Sequence, residues 1–218
     1  MELIPGAQPE PAAEPPRVGR SPSTSQAELS HIALELFVTR GFDETTVDDI
    51  AAAAGIGRRT FFRYFPSKND LPWGDFEGLV ERMRVTLDAV PDEVPLLTAL
   101  RSAVIEFNRF PEIEVPYHRR RMELLLTVPT LVAHSTLRYA SWRAVVAEFA
   151  ARRLGQPVDA MEPQGIAWTY LAVSIAAYEQ WLQHEGSDLA EVMERTFATL
   201  DTAFGGGQAG GGSGAADG

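Results

Sequence analysis

The sequence predicts an all-α fold: an N-terminal three-helix helix-turn-helix domain followed by a larger helical domain. Three observations predict it. Apolar residues recur at i, i+3 and i+4 from about residue 25 to residue 204, whereas no alternating run of useful strand length occurs. Gly and Pro interrupt this pattern at helix-length intervals, at Gly41, Gly55, Pro66, Pro91, Pro95, Pro111, Pro116, Pro129, Gly155, Pro157 and Gly186. Between Thr46 and Pro66, two very short helical segments flank a turn containing Gly, which is helix-turn-helix spacing.

Residues 1–22, rich in Pro, Ala and Glu, are expected to form a disordered arm; its Arg17 and Arg20 suit insertion into a minor groove, and a plain tail with scattered Arg is the open alternative. Ser25 and Glu28 then form a capping box, and Leu29, Ile32, Ala33, Leu36 and Phe37 make one apolar stripe that Gly41 stops. Thr46 caps the second helix with Asp49 three residues on; Ile50, Ala51 and Ala54 face inward and Gly55 breaks it. Gly57 opens a third helix that ends before Pro66. At about 100° per residue, Phe61 and Phe65 point together into the packing with Tyr64 beside them, while Arg59, Phe62 and Arg63 point away next to Thr60.

Further helices are expected over 72–90, 95–110, 117–128, 130–153, 160–185 and 188–204, with GGGQAGGGSGAADG as a flexible tail. The expected division is 1–22 arm, 23–71 helix-turn-helix domain, 72–204 larger domain and 205–218 tail.

Charge singles out one stretch. The chain carries 30 acidic and 19 Lys and Arg residues, a net charge of -11, yet GIGRRTFFRYFPSK (55–68) sets Arg58, Arg59, Arg63 and Lys68 among four aromatic rings with no acid. A merely solvated face in so acidic a chain would mix signs. The second helix of a helix-turn-helix enters the major groove, so this face reads as DNA-binding, and the overall acidity argues only against indiscriminate coating of DNA.

Cys is absent, which excludes disulfides, thiolate catalysis and Cys-ligated metals. The four His (His31, His118, His134, His184) lack metal-ligand spacing, and neither a Gly-rich phosphate loop nor a nucleophile elbow occurs. No metal, cofactor or enzymatic activity is therefore expected. The N-terminus has neither a basic nor an apolar signal region, and the longest apolar run, near 165–178, is shorter than the roughly 18 residues of a membrane span. A cytoplasmic protein with no membrane partner is expected.

The span GFDETTVDDIAAAAGIGRRTFFRYFPSKNDL (41–71) resembles the DNA-binding domain of the TetR family of transcriptional regulators, in its Gly-Phe, Thr-Thr, Ile-Ala, Ala-Gly-Ile and Thr-hydrophobe-x-x-Tyr-Phe steps. The resemblance implies phosphate contacts from Thr46 and Lys68, base-edge contacts from Arg58, Arg59 and Thr60, and backbone or base contacts from Arg63 and Tyr64, with Gly57 in the DNA-binding set at the N-cap position where many members have Ser. Phe62 stands where the family commonly has Tyr, so one usual hydroxyl-to-phosphate bond is replaced by van der Waals contact. RRTFFRYFPSKNDLPWGDFEGL (58–79), Pro163 with the Ala-rich text around it, and EVMERTFATLDTAF (191–204) further resemble the TetR subgroup associated with mycofactocin systems in actinobacteria.

The larger domain then reads as a dimerisation and effector-binding unit. In the helix expected over 160–185, Trp168, Leu171, Ile175, Tyr178 and Leu182 form one apolar face and Tyr170, Val173, Ala177 and Trp181 a second. Two apolar faces need two partners, one of them a second subunit. Tyr170, Ala177 and Trp181, with Val192 and Phe197 from the last helix behind a Ser187 cap, are the expected interface of a homodimer. Such a dimer implies a pseudo-palindromic double-stranded DNA operator with half-sites about 34 Å apart.

Phe107, Phe110, Met122, Leu125, Leu126, Tyr139, Trp142 and Trp168 are expected to line an apolar effector cavity. Beside them, Arg119, Arg120 and Arg121 sit near a helix start, where cations oppose the macrodipole and an anion is favoured. Arg119 and Arg120 with the cavity point to an acyl-coenzyme A effector; pairing of these arginines with Glu112, Glu114 and Glu123 is the open alternative. The expected function is a homodimeric, ligand-responsive repressor, with a small-molecule or acyl-thioester binding protein lacking DNA regulation as the open alternative.

Overall fold

The computed structural model describes residues 24–205, and these are helical with no strand among them. The arm expected over 1–22 and the Gly-rich tail beyond residue 205 lie outside the described residues. Helix α1 spans Gln26–Arg40, α2 Val47–Ala53 and α3 Arg58–Tyr64; a 3-10 turn over Lys68–Trp73 leads to α4, Phe76–Asp88. Then follow α5 Leu96–Phe107, α6 Val115–Thr127, α7 Pro129–Leu154, α8 Met161–Gln183 and α9 Leu189–Gly205.

The first three helices form as their caps dictate. The Ser25 hydroxyl accepts from the Glu28 amide at 3.1 Å, and at Thr46 the reciprocal box is complete, with the Asp49 carboxylate accepting from the Thr46 amide at 2.9 Å. At Ser25 only the N-cap half of the expected box forms, and each such cap stabilises by about 1 kcal/mol. Leu29, Ala33, Phe37, Ile50, Phe61 and Phe65 are buried together as the core of this small domain. Leu34, absent from the expected stripe, is also fully buried, whereas Ile32 and Leu36 are only partly covered.

Three expectations about element ends are corrected. Pro116 and Pro129 begin α6 and α7 instead of separating them from their neighbours, because a first-turn proline has no amide to satisfy. Helix α4 starts at Phe76 and not at 72, since residues 68–73 take the 3-10 turn and Asp75 accepts from the Gly78 amide at 3.2 Å. The last helix is capped by Asp188, which accepts from the Glu191 amide at 2.9 Å, while the Ser187 hydroxyl donates back to the His184 carbonyl. Gly155 ends α7 at φ 64°, a left-handed cap that a side chain would strain.

In the larger domain α8 is central. It packs along α7 on one side and α9 on the other, with α6 also against it and α5 against α9. Helix α6 touches α1 as well as α7 and α8, so it joins the DNA-binding domain to the larger one.

Candidate DNA-binding face and effector cavity

Phe61 and Phe65 anchor α3 in the core, which turns Arg58, Arg59, Phe62 and Arg63 outward to solvent and leaves Thr60 and Tyr64 half-covered beside them. Phe62 is 44% exposed, with the Arg58 guanidinium 5.6 Å above its ring. Arg58 Nη1 also pairs with Asp48 at 2.9 Å on the neighbouring short helix, and Arg63 lies 5.1 Å over the Tyr64 ring. Arg59 makes no hydrogen bond or ion pair among the described residues, so its five donors face outward unclaimed. Gly57 supplies the N-cap with no side-chain bond, which leaves the start of α3 unencumbered.

Two residues expected at phosphates are committed to the fold first. The Thr46 hydroxyl donates to the Asp49 carboxylate at 2.5 Å. Lys68 Nζ donates to the Phe42 and Thr45 carbonyls at 2.8 and 3.0 Å and lies 4.3 Å over the Phe42 ring. It thus clamps the loop that orients α2, with one of its three protons left for a phosphate.

Between α4, α5, α6, α7 and α8 lies a cavity of about 70 Å³. Of the expected lining residues, Phe107, Phe110, Met122, Leu125, Tyr139 and Trp142 are present; Trp73, Phe76, Asn108, His118, Arg121, Leu171 and Tyr178 complete it with others. Four expected members are absent. Trp168 is 53% exposed on the outer side of α8 under the Arg143 guanidinium, 3.6 Å from its ring. Leu126 packs against the core away from the cavity.

Arg119 and Arg120 are engaged elsewhere. Arg119 donates to the Trp181, Leu182 and His184 carbonyls at 2.8, 3.1 and 3.0 Å and lies 4.4 Å over the Trp181 ring, capping the C-terminal end of α8. A cation there complements that helix's dipole, which explains the charge that seemed misplaced at the start of α6. Arg120 pairs with Glu35 on α1. Neither the expected acids Glu112 and Glu123 nor the cavity takes these two arginines.

The polar end of the cavity is an ordered chain. Asn108 donates to the Val104 carbonyl at 2.7 Å, the Tyr178 hydroxyl donates to Asn108 Oδ1, and His118 Nε2 lies 2.9 Å from the Tyr178 oxygen. Because the tyrosine proton goes to Asn108, His118 must carry its proton on Nε2, and its buried Nδ1 is left as an acceptor without a partner. Burial, with the Arg121 charge nearby, pulls His118 down to about 3, so it is neutral; burial pushes the Tyr178 phenol up. Phe110 lies over His118 with ring centroids 4.0 Å apart, and the pair forms part of the wall between this cavity and an outer pocket of about 240 Å³ at the start of α9.

The same α6 reaches α1 with its other face. The His31 ring stacks on Tyr117, and His31 Nε2 lies 3.1 Å from Glu114. A second tie runs from the 3-10 turn to α7: buried Asp70 accepts from Arg138 at 2.5 Å, His134 at 3.2 Å and Ser67 at 2.7 Å. Burial raises the Asp70 pKa, but these three bonds outweigh it and hold the carboxyl below its usual range.

The expected dimer face is also corrected. Tyr170, Ala177, Trp181 and Phe197 are buried inside the protomer: Tyr170 donates to the Leu97 carbonyl at 2.9 Å and packs on Phe197, and Trp181 Nε1 donates to the Ser187 carbonyl at 2.9 Å. Being central, α8 spends most of both apolar faces within its own chain, leaving Trp168 outside and Val173 at the edge of a groove. What α8 leaves outside is a sector of small and mixed residues that includes Gly165, Ala172, Ala176 and Gln180. Ala172, Ala176 and Gln180 meet Val192, Arg195, Thr196 and Thr199 of α9 in an open groove of about 780 Å³. Val192 alone of the expected set lies there. No sequence periodicity marked Ala172 or Ala176; their small size was the only signal.

No cluster of His, Asp and Glu able to hold a metal ion, and no helix long and apolar enough to cross a membrane, occurs among the described residues.

Comparison with known proteins agrees with this architecture. Residues 31–71 match the N-terminal model of the bacterial regulatory proteins of the tetR family, and residues 94–205 match the MftR C-terminal domain. A Mycobacterium tuberculosis protein described as the mycofactocin biosynthesis transcriptional regulator MftR is 46% identical over 181 residues, 83% of this chain and 91% of that one. The HTH-type transcriptional regulator TcmR of Streptomyces glaucescens is 29% identical over 80% of each chain. Among solved structures, Thermus thermophilus FadR, a TetR-family repressor in complex with lauroyl-CoA, superposes with a TM-score of 0.52 at 24% identity, covering 87% of this chain and 100% of that one. The fatty acid degradation regulator FadR of Bacillus halodurans gives 0.59 at 14% identity, covering 84% and 96%. An arginine-bearing recognition helix on such a scaffold is the equipment of a DNA-binding regulator and not of an enzyme, and the chain belongs to the TetR family of transcriptional regulators.

Proposed function

We propose that this chain acts in the cytoplasm as a homodimeric repressor that a small-molecule effector releases from a pseudo-palindromic operator. The observation that carries the reading is α6, which lines the cavity with His118, Arg121, Met122 and Leu125 and grips α1 with Tyr117 and Arg120. A ligand that displaces the inner face of α6 shifts its outer face, and with it the angle at which α3 is presented. Coupling of this kind requires that the ligand bind the two arrangements with different affinity.

The second subunit is assigned to the groove between α8 and α9, whose small residues allow close helix approach. For the effector, the apolar lining suits an acyl chain, and an acyl-coenzyme A is the form to test first. The support is the lauroyl-CoA-bound FadR fold together with this lining. A cavity of about 70 Å³ is well below the roughly 300–1,000 Å³ of ordinary ligand sites, so a ligand must move side chains to enter. That displacement is the means by which entry does work on α6.

The test is fluorescence anisotropy of the full chain on the DNA upstream of its own gene, at several salt concentrations, with octanoyl- or lauroyl-coenzyme A and with free coenzyme A. Specific binding with a log K against log salt slope near -0.9 per phosphate contact, lost on adding the thioester alone, is the expected result. Binding that ignores both leaves a regulator with a different effector; no binding at low salt leaves a ligand-binding protein without DNA regulation.

A further inference from the structure

Three residues, Asn108, Phe110 and His118, line both the inner cavity and the outer pocket at the start of α9. Asn108 and His118 are buried and tied into the hydrogen-bond chain through Tyr178. Phe110 differs. It is half-buried on the loop between α5 and α6, and its side chain is held only by ring contact, 4.0 Å from the His118 centroid. Of the three, Phe110 alone can swing aside without breaking a hydrogen bond.

Behind Phe110 lies a polar atom in need of a partner. The Asn108 amide nitrogen donates to the Val104 carbonyl, so its Oδ1 faces Tyr178 and takes the phenol proton, and the phenol oxygen takes the Nε2 proton of His118. His118 Nδ1 is then a lone pair, enclosed and without a donor, on a side chain only 5% exposed. Burial and the nearby Arg121 charge keep the ring neutral, so this atom calls for a neutral N–H or O–H donor and not for an anion. An enclosed acceptor left unpaired is unfavourable, and a ligand that supplies the donor removes that cost. The surroundings are graded: rings and aliphatic chains wall the inner cavity, whereas Arg109, Ser187 and Asp188 stand beside Trp181 and Leu189 in the outer pocket.

We propose that the inner cavity and the outer pocket are two compartments of one ligand site, with Phe110 as the gate between them and His118 Nδ1 as the acceptor that reads an N–H or O–H donor where the ligand crosses. The ligand class is an elongated molecule with an apolar end inside, an amide or hydroxyl at the junction and a polar remainder outside. This rests on the reading of the cavity as the effector site and deepens it. An acyl-coenzyme A belongs to the class, because the arm beyond its thioester carries amide N–H groups. At about 240 Å³ against about 70 Å³, the outer pocket also supplies the room that the inner one lacks.

The test uses the full chain and a matched pair of probes: N-butylhexanamide, which has an N–H, and N-butyl-N-methylhexanamide, which has none. By calorimetry the secondary amide is expected to bind about 3- to 10-fold more tightly, the range of a net hydrogen bond to a neutral acceptor. His118→Phe is expected to bring that ratio to about one while the tertiary amide still binds. In nitrogen-15 NMR of labelled histidine, the Nδ1 resonance of His118 is expected to be that of an unprotonated nitrogen and to shift with the secondary amide only. Stopped-flow association of both probes is expected to speed up severalfold in Phe110→Ala and to slow in Phe110→Trp.

Equal affinity for the two amides overturns the proposal, as does a preference that survives in His118→Phe or a protonated Nδ1 in the free protein. Association rates indifferent to both Phe110 variants overturn the gate, and failure of both amides to bind overturns the site. A secondary amide that binds through His118 without releasing the operator leaves the two-compartment site standing and refutes the effector reading; lauroyl-coenzyme A that releases the operator equally from the parent and from His118→Phe does the reverse.

Discussion

The imidazole of His31 on α1 stacks on the Tyr117 ring of α6 with centroids 3.9 Å apart and planes inclined by 11°. One helical turn on, Arg121 faces the cavity, and Arg120 between them reaches back to Glu35 on α1. A single helix thus carries DNA-domain contacts and cavity contacts on alternating residues, which makes any rotation of α6 visible at both ends.

Tyr117→Ala is expected to leave operator binding and ligand binding individually intact but to reduce the factor by which one lowers the other. Couplings of this type run to about 1–3 kcal/mol, so a loss of fivefold or more in the coupling factor is the expected result. It is measured by titrating the effector against the variant bound to operator DNA. Unchanged coupling would place the link elsewhere, with the Asp70 and Arg138 pair next in line.

Arg59→Ala and Arg63→Ala are each expected to weaken specific binding by about 1–3 kcal/mol if they read bases, and to lower the salt slope by about 1 if they sit at phosphates. Asp48→Asn acts in the opposite direction. It frees Arg58 from an exposed pair of little intrinsic worth and removes an acid from the DNA-facing side, so affinity should rise a few-fold with a steeper salt dependence.

Two substitutions separate the protomer core from the dimer face. Tyr170→Ala removes a buried ring that packs on Phe197 and should destabilise the protomer by about 3–5 kcal/mol in a denaturant titration. Ala176→Glu places a charge in the α8 and α9 groove and should leave each protomer folded while raising the dimer dissociation constant, read by analytical ultracentrifugation. The reverse pattern would restore Tyr170 to the interface.

His118 supplies a pH prediction. In the unfolded chain it binds a proton near pH 6.5, whereas burial holds the folded imidazole near 3, so the unfolded state takes up the proton first. Its contribution is complete above about pH 6.5 and is lost as the pH falls toward 3, at up to about 1.4 kcal/mol per pH unit. His118→Gln should flatten the melting temperature against pH between these limits. Asp70, held low by its bonds to Arg138, Ser67 and His134, adds a further loss only below about pH 4.

The sequence by itself determined the local and short-range features. Caps at Ser25 and Thr46, the breaks at Gly41 and Gly55, and the division of α3 into a Phe61 and Phe65 core side and an arginine side all follow from contacts within a few residues, and the structure reproduces them. Six of the cavity residues were legible because large apolar side chains on middle helices have few other places to go.

The tertiary structure alone decided which partner each face meets. Arg119 and Arg121 are two residues apart and equally basic, but one caps the end of α8 through carbonyls more than 60 positions away and the other lines a cavity without a partner. Tyr170 and Trp168 likewise share one helix and one chemistry, yet the first is enclosed by α5 and α9 and the second lies in solvent. A helical wheel gives the direction of a side chain relative to its own axis. What stands in that direction depends on how distant helices pack, and it is this long-range packing that sorts a charge into a cap, a strut or a ligand site.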